Sequence, residues 1–229
     1  MPVIRDIKLE LPFDQVLRRE GFRKNVSPSP VIQKVILEML DNLEQDPLLD
    51  PVIVYEILPV EKMINDKQET GKGPSQDSRI FSLISGAREV AAVVCTIGRR
   101  LEMQVKRHID NNEPLRALLM DGIGSVAVDM LSEEACNLIA SAASLRGYTT
   151  SSPISPGIQG LSITEQTHLF ELVPVSEIGV TLTDSGTMIP LKSASMVIGL
   201  GPEMKRWKRI EVCTSCHLRN TCSHRLEKG

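Results

Sequence analysis

The segment from Glu113 to Arg146 reads EPLRALLMDGIGSVAVDMLSEEACNLIASAASLR, and it decides the fold. Its apolar residues recur at helical spacing on most sides of one predicted helix, which is typical of a helix buried in a core. Gly122 and Gly124 each cost about 1 kcal/mol relative to Ala inside a helix. We expect that they either allow close packing against a neighbour or mark a break between two helices.

Four apolar segments rich in β-branched residues are predicted to be β-strands. They are Val52–Val60, Glu89–Gly98, Ile178–Leu182 and Ser195–Leu200. Turn residues between the last two segments predict that these two strands pair antiparallel in one sheet. Further helices are expected from Ser29-Pro30 onward, from Arg99 to Asp110 and from Thr164 to Leu172. Because helices and strands follow no regular βαβ order, the sequence predicts an α+β protein.

The composition excludes several classes of function. The 229 residues include 26 Lys and Arg against 29 Asp and Glu, and only 3% are aromatic. A net charge of −3 and few aromatic rings argue against a nucleic-acid binder that stacks bases. The N-terminus lacks the apolar segment of a signal peptide, and no apolar run is long enough to span a membrane. Five cysteines without a secretion signal favour a reducing compartment, so we expect a cytoplasmic protein with no membrane partner.

The chain is predicted to consist of one α+β domain, residues 1–202, and a Cys-rich basic tail, residues 203–229. The tail has seven basic and three acidic residues, which leaves a net charge of −7 on residues 1–202. Residues 65–79 are polar, charged, Gly or Pro throughout. Such a segment cannot bury enough apolar surface to offset its ordering entropy, so it is predicted to be a mobile loop.

The tail contains the strongest local signal for a metal site. Cys213 and Cys216 are separated by two residues, a spacing that lets both thiolates reach one ion, and Cys222 can close the site. A tetrahedral Zn site or an Fe–S cluster needs a fourth ligand, for which His224 is favoured over His217. Cys95 or Cys136 could also supply it, although each lies in an apolar segment typical of a buried thiol. Thiolates suit both Zn and Fe–S.

Several further motifs occur in a fixed order along the chain. They are Cys95-Thr-Ile-Gly98, Met120-Asp-Gly-Ile-Gly-Ser125, Ser152-Pro-Ile-Ser-Pro-Gly-Ile158, Gln166-Thr-His-Leu-Phe-Glu-Leu172, Ile178-Gly-Val-Thr-Leu-Thr-Asp-Ser185 and Met188-Ile-Pro-Leu-Lys-Ser193. Together they resemble the reactivation domain of cobalamin-dependent methionine synthase. They are most similar to the stand-alone proteins that share this domain and carry a Cys-rich C-terminus. The resemblance covers about residues 89–201.

The resemblance implies a fold, a cofactor and a partner. The fold is a twisted antiparallel sheet with flanking helices. The methionine synthase domain binds S-adenosylmethionine and methylates an inert cobalamin, carried by a partner domain, during its one-electron reduction. By resemblance, Ser155, Pro156, Gly157 and Asp184 would bind S-adenosylmethionine here, and the partner would be a corrinoid protein or methyltransferase.

Two departures from the family pattern concern the same loop. The family has Arg and Tyr where this chain has Pro153 and Ile158, and Asp184 replaces a Glu. A charge-assisted hydrogen bond from the Arg is worth about 1.5–3 kcal/mol, and Pro153 offers no side-chain donor. We therefore expect weak S-adenosylmethionine binding.

Three functions remain open at this point. The first is an activator that supports reductive reactivation or methylation of a partner's corrinoid. The second is a metal- or Fe–S-bearing subunit of a corrinoid methyltransfer complex that no longer binds S-adenosylmethionine. The third is a zinc-stapled binding module without a redox role.

Overall fold

The structure, a computed structural model, describes residues 2–22, 28–45, 48–62, 84–157 and 162–206. Its helices are α1 (Phe13–Arg19), α2 (Pro30–Gln45), α3 (Arg100–Asp110), α4 (Pro114–Ser144) and α5 (Glu165–Leu172), followed by a 3-10 helix (Val175–Ile178). Its strands are β1 (Val3–Ile4), β2 (Val52–Pro59), β3 (Glu89–Thr96), β4 (Thr149–Thr150), β5 (Thr181–Leu182), β6 (Met188–Ile189) and β7 (Ser193–Gly201). The loop predicted for residues 65–79 lies outside the described residues. No helix within the described ranges is long and apolar enough to cross a membrane.

The main sheet has five strands in the order β1-β2-β3-β7-β4. Every neighbouring pair is antiparallel, and β3 pairs along its whole length with both β2 and β7. The α+β class with an antiparallel sheet and flanking helices is therefore confirmed. The predicted strands at residues 52–60 and 89–98 are confirmed as β2 and β3.

Strand β3 is buried on both faces, which explains why its sequence is continuously apolar. Ala91, Val93 and Cys95 belong to the core beneath α4. Val90, Ala92 and Val94 face the opposite core, which α5 and the 3-10 helix cover. Because successive side chains alternate between faces, one strand contributes to both cores.

Helix α4 is one continuous helix across the central sheet. A row of fully buried residues at four-residue spacing faces the sheet: Ile123, Ala127, Leu131, Ala135, Ile139 and Ala143. The alternation of Ala with larger side chains brings the helix axis close to the strands while filling the space between them. Of the two expectations for Gly122 and Gly124, close packing is the one that the structure bears out, and the helix does not break there.

Both α4 glycines create room for a neighbouring side chain. A Cβ added at Gly124 would lie 2.6 Å from Cδ2 of Leu101, a fully buried residue of α3. A Cβ at Gly122 would lie 1.6 Å from Oε1 of Glu20, which follows α1. The glycines therefore let α3 and the end of α1 pack directly against the α4 backbone.

One predicted strand pairing is wrong. Ile178 ends the 3-10 helix, and the following strand β5 pairs with β6 in a separate two-stranded sheet, whereas β7 belongs to the main sheet. The reason is local: Thr183 N donates to Thr187 O (2.9 Å) and Thr187 N donates to Thr183 Oγ1 (3.1 Å). Together with the positive φ of Gly186 (79°), these bonds close a tight hairpin before the chain reaches β7.

The glycine contacts predict opposite outcomes for two Ala substitutions. Gly124→Ala should lower the free energy of unfolding by about 1–2 kcal/mol, because overpacking against buried Leu101 exceeds the gain in helix propensity. Gly122→Ala should be neutral or stabilising by up to about 1 kcal/mol, because the Glu20 carboxylate is a flexible end that can move. Urea denaturation of both variants measures the difference, and equal destabilisation would contradict the packing described here.

Candidate functional site

Lys192, between β6 and β7, is the centre of a polar cluster. Its side chain is only 12% exposed, and its ammonium donates to Asp121 Oδ1 (2.8 Å) and to Ser125 Oγ (2.9 Å). The backbone N–H of Lys192 donates to Glu102 Oε1 (2.8 Å). Ser125 in turn donates to the carbonyl of Asp121 (3.1 Å). A nearly buried ammonium is tolerated here because Asp121 and Ser125, both on α4, accept two of its hydrogen bonds.

The ends of β3 and β7 join this cluster through hydroxyl groups. Ser193 Oγ lies within hydrogen-bond distance of the Pro190 carbonyl (2.7 Å) and of Thr96 Oγ1 (2.8 Å). Thr96 Oγ1 accepts a hydrogen bond from Gly98 N (3.1 Å). Three of the motifs that resemble the reactivation domain, residues 95–98, 120–125 and 188–193, are therefore in direct contact.

Glu20 brings the N-terminal segment to the same cluster. Burial raises the pKa of its carboxyl above the ordinary value of 4.5, and the nearby Asp121 raises it further, whereas Arg19 and Lys192 act in the opposite direction. The net shift is upward, so the protonated form is favoured more in the folded protein than in the unfolded chain. The ionised Glu20 carboxylate therefore lies against the backbone of Gly122 at a cost in electrostatic free energy.

A pocket of about 340 Å³ opens beside the Lys192 cluster, between α3 and the end of β6. It is lined by Arg99, Glu102, Met103, Lys106, Ile189 and Pro190. Glu102 belongs to both features, since it lines the pocket and accepts the backbone N–H of Lys192. One wall residue of the pocket, Glu102, is therefore held by the Lys192 backbone.

The residues predicted to bind S-adenosylmethionine lie at the other end of the β5–β6 hairpin. Ser155 is half-buried, Pro156 is buried, and Gly157 is exposed with a positive φ of 83°. Asp184 is exposed at the hairpin turn, next but one to Gly186. The loop and the turn both approach Ile163: a Cβ added at Gly157 would lie 3.3 Å from its Cδ1, and one at Gly186 would lie 3.5 Å from its Cγ1.

Gln166 connects these features, although no sequence pattern assigns it a role of its own. It is only 3% exposed, donates from Nε2 to the Gly186 carbonyl (2.8 Å), and accepts from Ser195 Oγ (3.3 Å) through Oε1. One side chain of α5 therefore fixes the hairpin turn to β7. A polar residue within the motif of residues 166–172 is the signal that points to it. Lys192 is likewise not predicted by periodicity, because it is a single Lys in a turn. Its place in the motif of residues 188–193 is the only sequence signal for it.

The cysteines fall into two groups. Cys95 is buried, and burial raises the pKa of its thiol to about 11, so it is the inert thiol that its apolar strand predicts. Cys136 is half-buried, burial raises the pKa of its thiol, and its Sγ lies 3.7 Å from Met196 Sδ. Cys213, Cys216, Cys222, His217 and His224 lie outside the described residues. Within the described part of the chain, no group of three His, Cys, Asp or Glu residues is arranged to hold a metal ion.

The raised pKa of Glu20 predicts a pH-dependent effect of Glu20→Gln. A raised folded-state pKa means that the contribution of Glu20 to stability is greatest below pH 4.5 and is lost as pH rises through the folded pKa. Glu20→Gln should therefore be more stable than the wild-type protein at pH 7, and this advantage should shrink below pH 4.5. Denaturant titrations at both pH values measure it. A variant that is less stable at pH 7 would show that the attraction of Lys192 outweighs burial.

No protein-family model matches the chain, and no curated protein matches it. Among solved structures, the crystal structure of the MetH reactivation domain bound to AdoHcy matches with a TM-score of 0.61 and 14% sequence identity. The match covers 90% of this chain and 81% of that one. The resemblance indicated by the sequence motifs is thus confirmed for the fold, and this chain has the fold of the methionine synthase reactivation domain.

Proposed function

We propose that this protein is an accessory activator of a corrinoid protein in the cytoplasm. The observation that carries the proposal is the fold, shared over 90% of the chain with a reactivation domain whose structure contains AdoHcy. AdoHcy is S-adenosylmethionine after loss of its methyl group, so a methyl transfer to the partner's cobalamin is the reaction class that this fold supports.

The reaction itself has a defined balance of electrons and atoms. An inert cob(II)alamin on the partner takes one electron from a one-electron donor such as a reduced flavoprotein and becomes cob(I)alamin. The cobalt then takes the methyl group from S-adenosylmethionine as the carbon–sulfur bond breaks, which leaves methylcobalamin and AdoHcy. The role of this chain would be to hold S-adenosylmethionine and the partner in contact.

Ser155, Pro156, Gly157 and Asp184 are the proposed S-adenosylmethionine-binding residues. The close approach of Gly157 and Gly186 to Ile163 supports this assignment, because it brings the loop and the hairpin turn near one another. Pro153 is exposed and supplies no donor, so the carboxylate of the ligand lacks the charge-assisted partner that the family pattern would provide. The affinity should therefore be low.

Restoring the missing charge should restore affinity. Calorimetric titration with S-adenosylmethionine should give weak binding to the wild-type chain, and Pro153→Arg should tighten the dissociation constant by about tenfold or more, since one charge-assisted hydrogen bond is worth at least about 1.5 kcal/mol. Pro153→Leu, which removes the ring without adding a donor, is the matched control. Tight binding by the wild-type protein would show that another group replaces the Arg.

Activation is tested with a cobalamin-loaded partner. The cobalamin-binding module of methionine synthase, or a corrinoid protein from the source organism, is poised as cob(II)alamin and mixed with S-adenosylmethionine and titanium(III) citrate. Addition of this chain should accelerate appearance of the methylcobalamin absorption spectrum. No acceleration with any corrinoid protein would overturn the proposal.

The second candidate function, a metal- or Fe–S-bearing subunit of a corrinoid methyltransfer complex, is favoured by the spacing of Cys213, Cys216 and Cys222. We propose that these thiolates bind one Zn ion or one Fe–S cluster with His224 as the fourth ligand. The net positive charge of the tail would lower the pKa values of the thiols and so favour metal binding. A cluster would let the tail deliver the electron that reactivation requires, whereas Zn would make it a structural staple.

Metal content separates these possibilities. Anaerobically purified protein should contain one Zn, or iron with sulfide and a brown colour, and Cys216→Ser should remove at least most of it. Ser215→Ala, at the neighbouring position, should retain the full content. Metal-free wild-type protein whose stability does not respond to added Zn or iron would contradict the proposed site.

A further inference from the structure

The pocket beside Lys192 is surrounded by apolar side chains that the structure leaves exposed. Met103 on α3 is 50% exposed, Ile189 at the end of β6 is 40% exposed, and Leu191, two residues after β6, is 64% exposed. Met103 and Ile189 line the pocket itself, and Leu191 immediately precedes Lys192, whose backbone is bonded to α3 through Glu102. We call these three side chains and the pocket between them the α3–β6 surface.

The rim of this surface is basic, in contrast to the rest of the domain. Residues 99–107 contain four basic residues and one acidic residue, whereas residues 1–202 as a whole carry a net charge of −7. Arg99, at the pocket wall, is exposed and makes no ion pair among the described residues, whereas Lys106 pairs with Asp110 at 3.3 Å. Glu102 keeps its negative charge, because its partner is the neutral backbone N–H of Lys192. The four basic residues nevertheless leave residues 99–107 with a net charge of +3, so the rim is positive.

The surface is also connected to the proposed ligand loop. The hairpin runs from Gly186, which lies against Ile163 and near Gly157, to Ile189 at the pocket. Three residues of extended chain span about 10 Å. Gln166 holds the turn and Glu102 holds the chain after β6, so the hairpin is fixed near both ends. A protein seated on the α3–β6 surface would thus lie within reach of a ligand at residues 155–157.

We propose that the α3–β6 surface is the docking site of the corrinoid partner, which it contacts through an acidic face bearing an apolar side chain that enters the pocket. This inference rests on the proposed function and adds to it the location and chemistry of the interface. Exposed apolar side chains around a concave pocket are typical of interfaces, and a charged rim steers the encounter without supplying most of the affinity. The partner's face is expected to be acidic because it would complement Arg99 and the other basic residues of 99–107.

The test measures the dissociation constant for the same cobalamin-loaded proteins that are used in the activation assay. Met103→Glu, Leu191→Glu and Arg99→Glu should each raise it at least tenfold, and added salt should slow association of the wild-type chain. Leu145→Glu and Arg88→Glu are the matched controls. Leu145 is 90% exposed, about 30 Å along α4 from Gly124, and Arg88 is exposed at the opposite end of β3 from Arg99. Both controls should change the constant less than twofold.

The outcomes distinguish this inference from the function on which it rests. Binding that all three substitutions leave unchanged, with activation intact, would overturn the docking site and leave the proposed function standing. Absence of binding to any corrinoid protein would overturn both. Circular dichroism verifies folding of each variant, and Leu191→Ser provides a milder substitution at the most exposed position, for which a smaller loss of affinity is expected.

Discussion

The burial of β3 on both of its faces is the constraint on which the rest of this structure depends. An antiparallel sheet can leave one face in water, but a strand as apolar as residues 90–95 requires cover on both. Helix α4 provides one cover, and α5 with the 3-10 helix provides the other. The order of the sheet follows, since β3 must be central and its partners β2 and β7 must protect its edges.

The position of the polar cluster is a consequence of that arrangement. Where β3 ends, the chain turns into α3, and α4 crosses the same end of the sheet, so two helices and the start of β7 converge there. Gly124 permits this convergence because a side chain at that position would displace Leu101 or press on Lys192, whose Cε would lie 3.3 Å from the added Cβ. The Lys192 ammonium is then enclosed, and Asp121 and Ser125 satisfy it. The glycine that sequence propensity disfavours is thus required by packing.

The sequence predicts those features whose signal is local or periodic. The helix at residues 114–144 and the strands at residues 52–59 and 89–96 follow from apolar spacing, and the fold follows from ordered motifs. Sequence cannot predict that β5 pairs with β6, because a two-residue strand has no pattern and the deciding bonds join Thr183 to Thr187. Lys192 contacts Asp121, Glu20 lies against Gly122, and Gln166 bonds Gly186 and Ser195. Each of these contacts joins residues far apart in the chain, so no short window of sequence contains it. The division into residues 1–202 and a tail stays a prediction.

The hairpin connects the proposed methyl-donor loop with the proposed docking surface. The proposed methyl transfer to a partner's cofactor would require the methyl donor and the partner to be held at a fixed distance from each other. In this chain the proposed donor loop lies at the turn of the hairpin and the α3–β6 surface lies at its base. The anchor at the turn, Gln166, is bonded to β7, and the anchor at the base, Glu102, is bonded to the residue that precedes β7. Both ends of the hairpin are therefore anchored at or next to β7. The distance between the proposed donor loop and the α3–β6 surface is thus set by the main sheet as well as by the hairpin.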